Sequence, residues 1–151
     1  MRKALVVMVV VVGACDGGGS DVVVCEPDDP NPACEVYDCH GAAACDATCA
    51  ADTPCAELDC SDAAQCRLDC QPREVCDVDC QRSGTCFIDC EEDSTCDVDC
   101  TGSSSCSIHC HPGAECLVEC SDALTCGITA CDGGAVTECA NGVVVCNRAC
   151  P

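Results

Sequence analysis

Between Cys34 and Cys131 the chain repeats one short pattern with a period of ten residues. The clearest stretch starts at Cys76 and reads CDVDCQRSGT, CFIDCEEDST, CDVDCTGSSS, CSIHCHPGAE, CLVECSDALT. Within each unit cysteine and aliphatic positions alternate with polar ones. Cys96, Val98 and Cys100 share one face, and Asp97 and Asp99 the other. That period of two is the mark of a strand with one buried side. The aliphatic position holds Leu58, Leu68, Val78, Ile88, Val98, Ile108, Val118 and Ile128, rich in the β-branched residues that suit strands. Five residues follow, carrying the Ser, Gly, Asp and Pro that form turns. The Ala-rich stretch 42–64 offers a helical alternative, with cysteines at i and i+4. A ten-residue period does not return to one face of a 3.6-residue helix, however, and the turns would interrupt it.

No single unit can bury its face alone, so the units must stack. The fold expected is all-β: a short-rung, disulfide-stapled β-solenoid with one unit per turn. Nine or so rungs at ~4.8 Å spacing would make a rod roughly 40 Å long. A string of small disulfide-bonded hairpins is the alternative. On these boundaries residues 34–131 are solenoid and 132–151 a C-terminal disulfide cap.

The 151 residues include 25 cysteines and two aromatics, Tyr37 and Phe87, too few large side chains for an ordinary core. Crosslinks must do the holding. A bond within a strand, such as Cys96 to Cys100, would span four residues of extended chain, beyond the ~7 Å Cα limit. A bond across the turn is feasible. The gap between the paired cysteines of a unit is three or four residues, whereas the five-residue turn gap is constant over nine occurrences. The pairing expected is therefore Cys39–Cys45, Cys49–Cys55, Cys60–Cys66, Cys70–Cys76, Cys80–Cys86, Cys90–Cys96, Cys100–Cys106, Cys110–Cys116 and Cys120–Cys126. Cys25, Cys34, Cys131, Cys139, Cys146 and Cys150 remain, with connectivity open. A thiolate cluster holding zinc is the rival use, but it usually shows close C-x2-C pairs, and the sequence has none.

Met1-Arg2-Lys3, the apolar run Ala4–Val12 and the small pair Gly13-Ala14 match a secretory signal over residues 1–14, too short to span a bilayer comfortably. Val12-Gly13-Ala14-Cys15 resembles the lipobox of bacterial lipoproteins. The resemblance implies acyl chains on Cys15 and cleavage before it, anchoring the chain to a bacterial membrane, inner or outer. Residues 15–33, beginning with the acidic, Gly-rich run Asp16–Asp21, then read as a tether. Removing Cys15 from the pool leaves an even number of cysteines, and export puts them in an oxidising compartment.

The formal charge is −21, and without Arg2 and Lys3 only four arginines stand against 27 acids. Phosphate-directed nucleic-acid binding is excluded by that balance; divalent cations are compatible with it. The residue before the second cysteine of successive units is Asp59, Asp69, Asp79, Asp89, Asp99, then His109 and Glu119. One unit per turn would stack these five aspartates in a single outward column. At ~5 Å two such charges repel by about 1 kcal/mol in water and ~3 kcal/mol at an effective dielectric of 20. Solvent or a bridging calcium ion, hard and oxygen-seeking, would relieve them. His109 and His111 flank Cys110 on one face of an extended segment, as exposed polar residues or an adventitious metal site. There is no nucleophile-elbow sequence and no apolar pocket in prospect to raise a carboxyl pKa, so no enzyme activity is expected.

The cysteine spacing resembles that of insect β-helical antifreeze proteins, where cysteines six positions apart bridge each rung. Their Thr-x-Thr rows are absent, with Thr85, Thr95 and Thr125 occurring singly, so the architecture carries over and ice binding does not. The whole composition looks like that of cysteine-rich lipoproteins of myxobacterial type. The expectation for function is an exported, lipid-anchored structural or interaction protein of the cell envelope. A calcium-dependent binding module is the alternative, and the protein or envelope partner is left open.

Overall fold

A computed structural model describes residues 22–25, 38–49 and 57–151. The signal segment, Cys15, Cys34 and Cys55 lie outside these residues. The architecture is an all-β solenoid of about four turns built from two facing sheets. The first sheet takes β1 (Val22–Cys25), β2 (Ala44–Cys49), β4 (Gln65–Cys70), β6 (Thr85–Cys90), β8 (Ser105–Cys110) and β10 (Cys126–Cys131). The second takes β3 (Leu58–Asp59), β5 (Val75–Asp79), β7 (Thr95–Asp99) and β9 (Glu115–Glu119), then β12 (Val143–Cys146) and β11 (Val136–Glu138). Val22–Cys25, inside the stretch read as tether, pairs in parallel with β2 and starts the first sheet.

Successive units alternate between the sheets, so a turn takes two units rather than one. Cys66 is in register with Cys86, Cys86 with Cys106 and Cys106 with Cys126, while Cys76, Cys96 and Cys116 form a separate stack. The expectation of nine single-unit rungs is corrected accordingly. The reason is geometric. A five-residue strand covers roughly 16 Å, and the turn that follows returns the chain to within 5.5–6.4 Å of the strand's end. The next strand must then run back the other way. Only a second corner restores the original direction, and five stacked spacings at ~4.8 Å give roughly 24 Å rather than 40 Å.

The two corners of a turn differ. Leaving the second sheet, the second residue after the cysteine is left-handed: Gly41, Asp62, Arg82, Gly102 and Asp122 have φ between 55° and 70°. Leaving β4, β6 and β8 of the first sheet, it is the third residue, namely Arg73, Asp93 and Gly113. Pro72 and Pro112 occupy the second position there, where a φ locked near −65° forbids the other corner. Amides continue the ladder around the corners, with Arg82 N–H donating to Thr101 O at 3.0 Å and Glu91 N–H to Cys70 O at 2.9 Å.

Inside runs a single file of aliphatic side chains. Leu58, Val78, Val98 and Val118 from the second sheet and Leu68, Ile88 and Ile108 from the first are all at most 2% exposed, flanked by buried cysteines. Ile128 is only partly buried. The extra residue between Cys126 and Cys131 is absorbed by a bulge between Ile128 and Ala130. At the C-terminus β12 pairs with β9 antiparallel, and the short exposed β11 with β12, ending the parallel stack with a blunted edge.

Candidate functional site

Sulfur chemistry comes first because it positions everything else. Disulfides join Cys39–Cys45, Cys60–Cys66, Cys70–Cys76, Cys80–Cys86, Cys90–Cys96, Cys100–Cys106, Cys110–Cys116 and Cys120–Cys126. Cys49 is disulfide-bonded as well, and Cys55, its partner in the sequence-based pairing, is outside the described residues. Each of these eight bonds staples one sheet to the other at a corner. Two more lie at the C-terminus: Cys131–Cys146 ties β12 to β10, and Cys139–Cys150 closes the C-terminal segment on itself. Several buried sulfurs cluster closely, among them Cys66, Cys80 and Cys86. All three are disulfide-bonded and present no thiolate to a metal.

The outward faces of the two sheets are chemically unlike. On the second sheet, parallel register aligns Asp77 with Asp97 and Leu117, and Asp79 with Asp99 and Glu119; Leu58 and Asp59 pair with Val78 and Asp79. The five-aspartate column is thereby corrected. Asp59, Asp79 and Asp99 stack on this sheet, whereas Asp69 and Asp89 stack on the other, because alternate units face opposite ways. A shallow depression of about 120 Å³ opens among Asp77, Asp97, Asp99, Leu117 and Glu119.

This face relieves part of its own repulsion. Asp79 Oδ1 accepts the Gln81 amide at 2.8 Å, and Asp99 Oδ1 the Thr101 amide at 2.9 Å. Asp59 Oδ1 accepts both the Ser61 amide at 2.9 Å and the Ser61 hydroxyl at 2.6 Å. These aspartates cap the corners that follow them, a role the sequence pattern of acid-Cys-x carried but that was not read from it. Gln81 Nε2 donates to Asp99 Oδ2 at 2.8 Å, and Arg148 pairs with Asp97. Asp77 has no cation partner among the described residues, and burial pushes its carboxyl up, with Asp97, Glu57 and Asp79 adding to the shift.

The first sheet carries Arg67 over the Phe87 ring, 5.6 Å from its centroid. Its next outward column runs Asp69, Asp89, His109. Asp89 Oδ1 lies 3.0 Å from His111 Nε2 and 3.6 Å from His109 Nδ1. The far nitrogen of His109, Nε2, is 3.3 Å from Asp132 Oδ2. The two imidazoles stack with centroids 4.2 Å apart. At the opposite corner His40 Nδ1 meets Ser61 Oγ at 2.8 Å, but the serine proton is directed to Asp59.

Fold and crosslinks together define the class: a disulfide-stapled β-solenoid of a kind that belongs to an oxidising, exported or extracellular setting. Comparison with protein-family models, with curated proteins and with solved structures finds no match to this chain. Among the described residues no helix is long and apolar enough to cross a membrane.

Proposed function

We propose that the protein is a lipid-anchored structural or interaction element of the bacterial cell envelope. In this reading residues 1–14 direct export, Cys15 carries the acyl chains, and Asp16–Asp21 separate the stapled body from the bilayer. The supporting observation is a body with a crosslink at every described corner and two broad polar faces. That is the construction of a durable spacer or docking surface, not of an enclosed catalytic pocket. Stable anchoring needs more than one acyl chain, which the lipobox-like Val12–Cys15 would provide. The experiment is Cys15→Ser in a bacterial host. Loss of labelling by a palmitate probe and release from the membrane fraction are expected; unchanged retention overturns the anchor.

A second reading is favoured by one feature, the carboxylates gathered on the second sheet. A calcium ion held among Asp79, Asp99 and Glu119 would neutralise charges that the protein's own cations leave partly unpaired. The two faces allow an internal control. A thermal melt in millimolar calcium against chelator should show a stabilisation that Asp79→Asn with Asp99→Asn removes and Asp89→Asn, on the other face, retains. No calcium effect in the unaltered protein returns the account to the structural reading.

A further inference from the structure

The geometry points to a zinc site on the first sheet, formed by Asp89, His109 and His111 and oriented by Asp132. One donor atom from each of the three ligands lies within 4.8 Å of the other two. Two donors bound ~2.1 Å from a tetrahedral zinc ion sit roughly 3.4 Å apart. The separations from Asp89 Oδ1, 3.0 Å to His111 Nε2 and 3.6 Å to His109 Nδ1, bracket that value. Small movements of side chains would therefore complete the site. Each of the three is roughly a quarter to a third exposed, at 27–30%. An ion could enter, and its fourth position would face water or a ligand from another molecule.

What distinguishes this cluster from an exposed acidic patch is its second carboxylate. A metal-bound imidazole usually gives its other N–H to a carboxylate, which fixes the tautomer and raises ligand basicity. With His109 Nε2 protonated and donating to Asp132, Nδ1 is left as a lone pair aimed at the Asp89 side. The backbone holds Asp132 in place: its N–H donates to Cys110 O at 2.8 Å, immediately beside both histidines. Zinc would displace the hydrogen on His111 Nε2, which the neutral ring then carries on Nδ1. Imidazole nitrogen selects a borderline ion such as zinc over calcium, which prefers all-oxygen shells. Asp69, one rung before Asp89, adds negative charge, and its Oδ1 has no hydrogen-bond partner among the described residues.

The test is zinc titration of the full oxidised chain by calorimetry, with ring-proton NMR of the three histidines. One equivalent should bind, shifting the His109 and His111 resonances and leaving His40 unmoved. His109→Ala and His111→Ala should each weaken binding at least tenfold. Asp132→Asn should weaken it by about tenfold or more through loss of the carboxylate that orients His109 and raises its basicity, and Asp79→Asn with Asp99→Asn should leave it unchanged. The NMR arm needs no variant and so does not depend on any of them folding. Zinc binding that survives in the His109→Ala, His111→Ala double variant, or that shifts only His40, overturns the assignment. Loss of binding in the Asp79, Asp99 variant, whose substitutions lie on the opposite face, overturns it as well.

Discussion

Removing a single corner staple should loosen one corner and leave the ends of the solenoid intact. Consider Cys90→Ala with Cys96→Ala. The crosslink closes a loop of about seven residues, which on the loop-entropy relation contributes ~2.4 kcal/mol. Both cysteines are fully buried, so deleting two sulfurs adds a packing loss of roughly 1 kcal/mol each, on the scale of a buried methylene. The total is about 4 kcal/mol. Stability in a stacked repeat is a sum of nearest-neighbour terms, so the loss should stay local. Amides that bond across this corner report it directly: Glu91 to Cys70 O, Thr95 to Glu74 O and His111 to Cys90 O. Native-state hydrogen exchange at these amides should accelerate by up to about a thousandfold, the rate equivalent of 4 kcal/mol. Gly41, whose amide bonds to Ser61 O, and Cys139, whose amide bonds to Val143 O, should exchange as before. Acceleration spread evenly from Gly41 to Cys139 would refute the local, rung-by-rung account. No acceleration at Glu91 or Thr95 would show that the staple carries no stability.

The interior file makes a graded prediction: Ile88→Ala should cost about 3 kcal/mol in urea unfolding, and Ile128→Ala, at the partly buried bulge, clearly less. Gly84→Ala should destabilise by ~1–3 kcal/mol, because its Cβ would lie 2.4 Å from the backbone oxygen of Ala64. Gly102→Ala should cost about 1 kcal/mol, since its φ is +70° but the nearest atom is 3.6 Å away. Asp77→Asn should raise the melting temperature at pH 7. The folded protein holds this carboxyl above its usual value of 3.8, so stability falls as pH rises through the window between 3.8 and the raised value, and the ionised group opposes folding above it. The gain of the variant should vanish in melts below that window.

Strand positions, the inward aliphatic file and the turn segments were legible because each follows from a period-two pattern with strong chemistry. Two units per turn was missed because the inward pattern is identical in every unit. The distinguishing signal sits in the corners. Pro72 and Pro112 stand at a position where Gly41 and Gly102 are left-handed, and proline cannot take that conformation. The requirement that a turn crosslink bring its ends together already implied a reversal of direction at every corner. The alternation changes the chemistry in one place: the neighbours of Asp89 are Asp69 and His109 rather than Asp79 and Asp99. The acidic pattern was read correctly as outward-facing, but not which acids share a face. The C-terminal hairpin was not read at all, since Val143–Val145 lies outside the decapeptide pattern and its pairing to β9 is long-range.

Phe87 offers the most direct measurement of the alternating architecture, being the one aromatic residue among those described. Its ring stands outward in β6, between Arg67 of β4 and Ser107 of β8, twenty residues away on either side. Through-space NMR contacts from the Phe87 ring should reach the side chains of Arg67 and Ser107, and none should reach Asp77 or Asp97, which face the opposite direction in the second sheet. Contacts from Phe87 to Asp77 and Asp97, ten residues away, would contradict the two-sheet solenoid and restore one unit per turn.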